Sequence, residues 1–269
     1  MRLPVKIRLL VSLALVLQAA GLASAEEKAI VPSDVKESLH MLMEKKEREA
    51  DQLKRLAESI LIPAGEFRMG NAEGEDDEKP AHRVFVRAFS MDKYEVTQLQ
   101  YETAMGENPS YFKNCPLCPV EKVTFHNALA YCEKVGKRLP TEAEWEIAAK
   151  GGIDDVFYWD GDHPDGYAWF GNNSEHHTHP VGLKKPNAFG LHDMAGNVWE
   201  WVQDWYDGGY YENSPGENPA GPKEGNEKVV RGGAWGYQPE LLTHTLRERH
   251  DPGTRYINGG FRCAADTGN

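Results

Sequence analysis

The fold of this chain is decided by one stretch, Gly190-Leu-His-Asp-Met-Ala-Gly-Asn-Val-Trp-Glu-Trp-Val-Gln-Asp-Trp205. It holds three tryptophans, two aspartates, a glutamate and an asparagine within sixteen residues, and neither the helical nor the strand period fits their spacing. Ordering each residue costs roughly 1–2 kcal/mol of backbone entropy, so many side-chain contacts must hold such a segment. We interpret it as irregular backbone that forms either the centre of an unusual core or the floor of a site.

Regular elements are sparse around this stretch. Helices are predicted in four places: 33–60, a segment that begins at Thr97, 124–135 and 141–150. In the last of these, Thr141 and Glu144 form a capping box. Residues 83–89 alternate polar and apolar and predict a strand, whereas the chain after Gly151 is aromatic, glycine-rich and irregular. The pattern predicts an α+β fold dominated by loops.

The predicted helix over 33–60 carries a partial heptad repeat. Six apolar residues fall on its a and d positions, namely Val35, Leu39, Leu42, Leu53, Leu56 and Ile60, whereas Lys46 and Glu49 interrupt the seam. Residues 26–60 are therefore expected to form a helical stalk or coiled-coil-like segment. Self-association through residues 33–60 is one interpretation, and a helix packed on its own domain or a mobile stalk is the other.

Residues 1–25 have the pattern of a secretory signal peptide. Arg2, Lys6 and Arg8 give a basic start, and an apolar run follows from Leu9 to Leu17. Ala23-Ser-Ala25 then forms a cleavage site of small residues. The apolar run is short for a membrane span, and an uncleaved anchor is the alternative. The pattern predicts a periplasmic or secreted protein with no transmembrane segment after signal cleavage.

The charge of the chain excludes one class of partner. The sequence has 42 Asp and Glu against 30 Lys and Arg, a net charge of −12. Nucleic-acid binding requires a basic face, so we expect no nucleic-acid partner. The acidic balance is compatible with calcium binding or with solubility alone.

Four cysteines are present: Cys115, Cys118, Cys132 and Cys263. In an exported protein they favour disulfides over free thiols. Cys115 and Cys118 form a CxxC pair, which is typical of a local disulfide, a redox pair or half of a metal site.

Seven segments occur in a recognisable order between residues 62 and 266. They are Ile62-Pro-Ala-Gly-Glu-Phe-Arg-Met-Gly70, Tyr94-Glu-Val-Thr97, Gly136-Lys-Arg-Leu-Pro-Thr-Glu-Ala-Glu-Trp-Glu146, Pro186-Asn-Ala-Phe-Gly-Leu191, Gly196-Asn-Val-Trp-Glu-Trp201, Arg231-Gly-Gly-Ala-Trp235 and Gly260-Phe-Arg-Cys263. Together they closely resemble the formylglycine-generating enzyme (sulfatase-modifying factor) family. The resemblance implies that residues 61–269 form a single domain of that type, which is rich in loops and distantly similar to C-type lectin folds.

The resemblance also implies an oxidation chemistry, but this chain lacks the residues that perform it. Enzymes of the family oxidise a sulfatase cysteine to formylglycine with O2 and copper. Two cysteines bind the copper, and they lie between the Arg-Gly-Gly and Gly-Phe-Arg motifs. Residues 231–262 contain no cysteine, and Ala234 stands where the active enzymes tend to carry serine. Copper(I) requires soft thiolate ligands. We therefore expect neither copper nor formylglycine formation, so a true sulfatase activator is disfavoured.

Two structural features carry over from the family. The resemblance implies a disulfide between Cys132 and Cys263, which leaves Cys115 and Cys118 as a local pair. It also implies a calcium ion bound by Asp193, the carbonyls of Gly196 and Val198, and Glu200, with a second, weaker site at Asn172 and Asn173. The alternative is that Asp193 and Glu200 cap turns or pair with arginines.

These observations leave two main hypotheses for function. In the first, the protein is a repurposed periplasmic enzyme that acts on a small molecule or peptide in a cleft near Trp235, Tyr237, His244, Arg247 and Arg249, with His244 or a buried carboxylate as the acid or base. In the second, it is a non-catalytic binding or assembly module on the same scaffold. The C-terminal arginines could clamp a carboxylate or phosphate, but we prefer the interpretation that they pair with acidic side chains; they are Arg231, Arg247, Arg249, Arg255 and Arg262. For the tryptophans we likewise prefer a role in the core over stacking on a ligand.

Overall fold

A computed structural model describes residues 33–157, 159 and 163–267. The predicted signal peptide, residues 1–25, lies outside this part of the chain. The chain divides into two units, residues 1–52 and 53–269. Within the described residues, no helix combines the length and the apolar character that a membrane span requires.

The N-terminal helix, α1, spans Ser33–Leu56. Ion pairs between residues four apart support it, such as Lys45 with Glu49 at 3.7 Å. The prediction that it continues to residue 60 is wrong, because Ser59 and Ile60 belong to the first strand, where they pair with Asp92 and Met91. A long-range sheet contact therefore ends the helix.

Among the described residues of the second unit, nine strands form three small sheets. In the first sheet, the antiparallel order β1-β4-β9 is built from Ser59–Ile62, Phe89–Asp92 and Ala264–Asp266. The second is a hairpin of β2 (Gly65–Met69) and β3 (His82–Val86). The third has the order β7-β6-β5-β8 and consists of Glu248–His250, Lys228–Arg231, Trp199–Trp205 and Gly259–Gly260. The single strand predicted over 83–89 is thus divided between β3 and β4, which lie in different sheets.

The described part of this unit also contains three short α-helices, α2 (Gln98–Met105), α3 (Phe125–Lys134) and α4 (Glu142–Lys150). Each begins at a threonine whose side chain accepts from the third helical residue, namely Thr97, Thr124 and Thr141. The predicted caps at Thr97 and Thr141 are confirmed. All nine residues of α4 are buried, so this helix lies at the centre of the domain.

Both disulfides form as expected, Cys132 with Cys263 and Cys115 with Cys118. They account for all four cysteines of the chain. Cys132 lies on α3 and Cys263 directly before β9, and both are fully buried. The long-range disulfide therefore ties α3 to the C-terminal strand.

The stretch Gly190 to Trp205 is irregular only in its first half. From Trp199 to Trp205 it is strand β5, which lies between β6 and β8 and whose first four residues are all buried. A strand covered on both faces shows no polar alternation, which is why the strand period is absent from the sequence.

Candidate functional site

The irregular half of the stretch, residues 190–198, folds around buried polar groups. Gly196 has a φ of +77°, and a Cβ there would lie 2.2 Å from the carbonyl oxygen of Trp169, so only glycine fits. The next residue, Asn197, also has a positive φ, and its amide donates to Glu95 Oε2 at 2.6 Å. Glu95 Oε1 accepts from the backbone N–H of Val198. A buried glutamate from a distant segment thus shapes this turn.

Glu200, on β5, pairs with an arginine in the interior. Arg262 donates to it through Nε and Nη2, at 2.8 Å and 2.7 Å, and Trp145 Nε1 donates to Oε2 at 2.9 Å. Glu95 and Asp193 lie close enough to affect this pair electrostatically. Burial, reinforced by the neighbouring carboxylates, raises the pKa of Glu95 well above its usual value.

The predicted calcium site fits this arrangement in part. Asp193 is buried, and its Oδ1 has no hydrogen-bond partner in the described part of the protein, as a calcium ligand would require. Both oxygens of Glu200 already accept hydrogen bonds. Calcium at Asp193, Gly196, Val198 and Glu200 therefore stays a prediction, and it requires Glu200 to exchange Arg262 for the ion.

The second predicted calcium site rests on Asn172 and Asn173. Asn173 Oδ1 accepts from the N–H of Phe170 at 2.9 Å, and its amide donates to the carbonyl of Ala168. Asn172 is exposed. The Asn173 side chain thus closes a local turn, and calcium here also stays a prediction.

A second buried ion cluster joins α4 to the third sheet. Glu142 accepts from Arg247 at 2.8 Å and from Arg231 at 3.3 Å, and Arg231 also donates to Glu146 at 2.6 Å. Burial alone would raise the pKa of Glu142, but the two arginines hold it below its usual value. Arg247 therefore has its charge balanced inside the protein.

The N-terminus of α4 also contacts a buried aspartate on β5. Asp204 Oδ2 accepts from the backbone N–H of Glu142 at 2.8 Å. Burial, aided by the charges of Glu142 and Glu144 and opposed by Lys228, raises the pKa of Asp204 to about 8. Protonation of Asp204 is therefore coupled to folding.

An open cleft of about 550 Å³ lies against the third sheet. We call it the sheet cleft, and its lining residues are Glu75, Asp76, Asp77, Trp199, Tyr206, Tyr237, Leu241, Leu246, Arg247, Glu248 and Arg249. Three of the five predicted cleft residues, Tyr237, Arg247 and Arg249, line it. Trp235 is not among the lining residues, and its ring packs edge-on against Phe112 at 5.6 Å.

His244 does not lie in the sheet cleft. It is fully buried, and burial together with the charges of Lys150 and Arg231 lowers its pKa to about 3. A buried imidazole that stays neutral at ordinary pH does not fit the predicted role of acid or base at the cleft.

Arg249 is exposed and belongs to a short relay along one wall. Its Nη1 donates to Tyr206 Oη at 3.0 Å, and Tyr206 Oη donates to Asp77 Oδ2 at 2.7 Å. Arg249 Nε also lies 3.4 Å from a carboxylate oxygen of Glu227. Burial and Asp77 raise the pKa of Tyr206 to about 12, so this tyrosine stays a hydrogen-bond donor.

The acidic lining of the sheet cleft was not predicted from the sequence. Glu75, Asp76 and Asp77 belong to a charged loop with no evident periodicity, and Glu248 lies between two arginines. The aromatic floor was recognised only at Tyr237, whose ring meets that of Trp199 edge-on at 5.3 Å. The density of carboxylates in residues 73–78 was the one available signal.

Comparison with known proteins places the chain among relatives of several kinds. Residues 44–267 match the family model of the Sulfatase-modifying factor enzyme 1-like domain. The chain is 38% identical over 236 residues to the serine/threonine-protein kinase pkn1 of Chlamydia pneumoniae, a match that covers 78% of this chain and 38% of the relative. It is 31% identical over 278 residues to the formylglycine-generating enzyme of Streptomyces coelicolor, covering 77% and 88% of the two chains. The chain thus spans well under half the length of the Chlamydia relative.

Solved structures give the same fold. The Treponema denticola variable protein 1 superposes with a TM-score of 0.73 at 31% identity, covering 78% of this chain and 95% of that one. PvdO from Pseudomonas aeruginosa gives a TM-score of 0.70 at 28% identity, covering 78% and 94%. The expected loop-rich α+β fold of the formylglycine-generating-enzyme type is confirmed.

Proposed function

Because the chain belongs to the sulfatase-modifying factor family, we propose that it uses the family scaffold as a binding module whose sheet cleft receives a positively charged ligand. The ligand is a basic peptide segment or a small polyamine. The observation that carries the proposal is the lining of the sheet cleft, where carboxylates and aromatic rings face a common space and the arginines are already paired.

The charge of the sheet cleft follows from these pairings. Glu142 balances Arg247 inside the protein, and Glu227 lies beside Arg249. The carboxylates of Glu75 and Glu248 have no ion pair among the described residues. A cation in this space would gain both from these carboxylates and from the faces of the aromatic rings.

The cysteines of the chain support a role other than formylglycine formation. All four are in disulfides, and none lies between Cys132 and Cys263. Thiolates that could hold copper are therefore missing from the segment where the active enzymes carry them. Disulfides form in oxidising compartments, which supports our proposal that the protein is periplasmic or secreted.

A repurposed enzyme that acts on a small molecule or peptide is the second candidate. Glu248 favours it, because burial raises the pKa of this carboxyl group and it lines the sheet cleft. Such a group could carry a proton to a bound substrate. The two candidates share the sheet cleft and differ in whether the ligand is changed there.

The proposal is tested with fluorescein-labelled hexalysine and hexaglutamate, whose binding is followed by fluorescence anisotropy at low and physiological salt. We expect hexalysine to bind and hexaglutamate not to bind. Glu75→Gln and Glu248→Gln should each weaken hexalysine binding by about two- to fivefold, as expected for partly exposed ion pairs. Glu133→Gln, which removes an exposed carboxylate from α3 outside the cleft, is the matched control.

Equal binding of the two peptides, or an equal loss in the control, would refute the proposed cleft. Mass spectrometry of the recovered peptide separates the two candidates, since only an enzyme alters it. A cysteine-containing sulfatase peptide with copper and O2 should show no aldehyde product.

A further inference from the structure

The local disulfide, Cys115–Cys118, is the more accessible of the two disulfides. Cys115 is partly exposed, whereas Cys118 is 2% exposed. Both cysteines of the long-range pair, Cys132 and Cys263, are fully buried. Exchange with an external thiol requires that thiol to reach a disulfide sulfur. Of the four cysteines, all of which lie in the described part of the chain, Cys115 alone is open to such an attack.

Backbone hydrogen bonds hold the CxxC loop, residues 115–118, from two sides. The first turn of α2 donates two backbone N–H groups to the carbonyls of Pro116 and Cys118, both at 2.9 Å. On the other side, the N–H of Val181 donates to the carbonyl of Leu117 at 3.0 Å. None of these three bonds involves a sulfur atom. The loop therefore keeps these contacts when its disulfide is opened.

The chain on either side of the CxxC loop is also closed without the disulfide. Ser110 Oγ accepts from the N–H of Glu121 at 3.2 Å, and Glu121 Oε1 accepts from the N–H of Phe112 at 2.9 Å. A disulfide between residues only 3 apart adds little loop-closure entropy. The reduced protein should therefore stay folded. The two cysteine Cα atoms, 5.3 Å apart, then remain within the range from which a disulfide forms again.

A backbone carbonyl beside Cys118 stabilises the reduced form selectively. Cys118 Sγ lies 3.5 Å from the carbonyl oxygen of Thr178, which also meets His177 Nδ1 at 2.8 Å. A carbonyl oxygen has two lone pairs and can accept from both groups. A disulfide sulfur carries no proton, so the oxidised pair makes no hydrogen bond here, whereas a thiol at Cys118 donates one. Stabilising the reduced form makes a disulfide easier to reduce.

We propose that Cys115–Cys118 is a redox-active disulfide that accepts two electrons from an external dithiol. One thiolate of the dithiol attacks Cys115 Sγ, so that a mixed disulfide forms and the bond to Cys118 breaks. Cys118 leaves as a thiolate and takes a proton from water, which gives the thiol that donates to Thr178. The second thiolate of the dithiol then displaces Cys115, which is protonated in turn. The dithiol departs as a disulfide, and both cysteines of the loop are left as thiols.

The test equilibrates the whole protein without denaturant in mixtures of reduced and oxidised dithiothreitol, and the long-range pair is the internal control. Free thiols are alkylated and located by mass spectrometry, while tryptophan fluorescence reports the fold. We expect Cys115 and Cys118 to be half reduced at a ratio of reduced to oxidised reagent at least about tenfold lower than Cys132 and Cys263 require. The fluorescence should stay native, and the pair should form again when the ratio is reversed. Reduction of both pairs at one ratio, or opening of the local pair only as the native fluorescence is lost, overturns the proposal.

Two single variants test the roles of the two sulfurs. Cys118→Ala leaves the partly exposed thiol of Cys115, and Cys115→Ala leaves the buried thiol of Cys118. Oxidised glutathione should form a mixed disulfide at least about tenfold faster with Cys118→Ala than with Cys115→Ala. The infrared S–H stretching band of Cys115→Ala should lie at lower frequency than that of Cys118→Ala, because its thiol donates to Thr178. Equal rates overturn the assigned point of attack, and equal band positions overturn the proposed stabilisation of the reduced form.

Discussion

Loss of the long-range disulfide should destabilise the protein far more than loss of the local one. The cysteines of the first pair, Cys132 and Cys263, are 131 residues apart, and those of the second, Cys115 and Cys118, are 3 apart. Loop-closure entropy then gives about 5 kcal/mol for the first disulfide and about 1.6 kcal/mol for the second at 25 °C. The difference, about 3 kcal/mol, is a large part of the roughly 5–15 kcal/mol that stabilises a typical domain.

The assay is urea unfolding followed by tryptophan fluorescence, with Cys132→Ala/Cys263→Ala compared with Cys115→Ala/Cys118→Ala. Each double variant loses two sulfur atoms and keeps the other disulfide, so each is a control for the other. Cys132 and Cys263 are both fully buried, and lost packing should widen the difference. Equal losses in the two variants, or a smaller loss in the long-range one, would refute the argument from loop length.

Three further predictions concern buried charged groups of the interior. Glu142→Gln leaves the buried guanidinium of Arg247 without its carboxylate, whereas Arg231 keeps Glu146, so the free energy of unfolding should fall by about 3–5 kcal/mol; a loss below about 1 kcal/mol contradicts the ion cluster. Burial raises the pKa of Asp204 from 3.8 to about 8 in the folded state. The contribution of Asp204 to the free energy of unfolding is therefore fully present below about pH 4 and is lost as the pH rises towards 8. Asp204→Asn should reduce the fall in melting temperature over this pH range. If calcium binds, a concentration of 100 times its Kd should stabilise the protein by about 2.7 kcal/mol, and Asp193→Asn should remove the shift; a melting temperature that EDTA and calcium leave unchanged excludes the site.

Local signals in the sequence predicted the helices well but not their limits. Thr97 and Thr141 begin helices because a threonine cap acts on neighbouring backbone N–H groups. The end of α1 depends instead on Ile60, which pairs with Met91 in a sheet. Residues 33–60 alone do not indicate that contact, so the helix predicted from their pattern is too long.

The sheet cleft was only partly predictable for a similar reason. Tyr237, Arg247 and Arg249 lie within one segment of the chain and were recognised together. Asp77 joins them through Tyr206, a residue 129 positions away. The acidic loop and the aromatic strand meet only in the folded protein, and neither indicates the other in the sequence.

The C-terminal arginines show why the charge of the cleft could not be derived from residue types. As a cluster they suggest a site for anions, yet Arg231, Arg247 and Arg262 are buried. A guanidinium removed from water must be paired, and these three are paired with Glu142, Glu146 and Glu200. Arg247 is the one of the three that lines the sheet cleft, and its pairing with Glu142 balances one positive charge of that lining. These three arginines therefore belong to the core, and their burial supports the proposed cationic ligand of the sheet cleft over an anionic one.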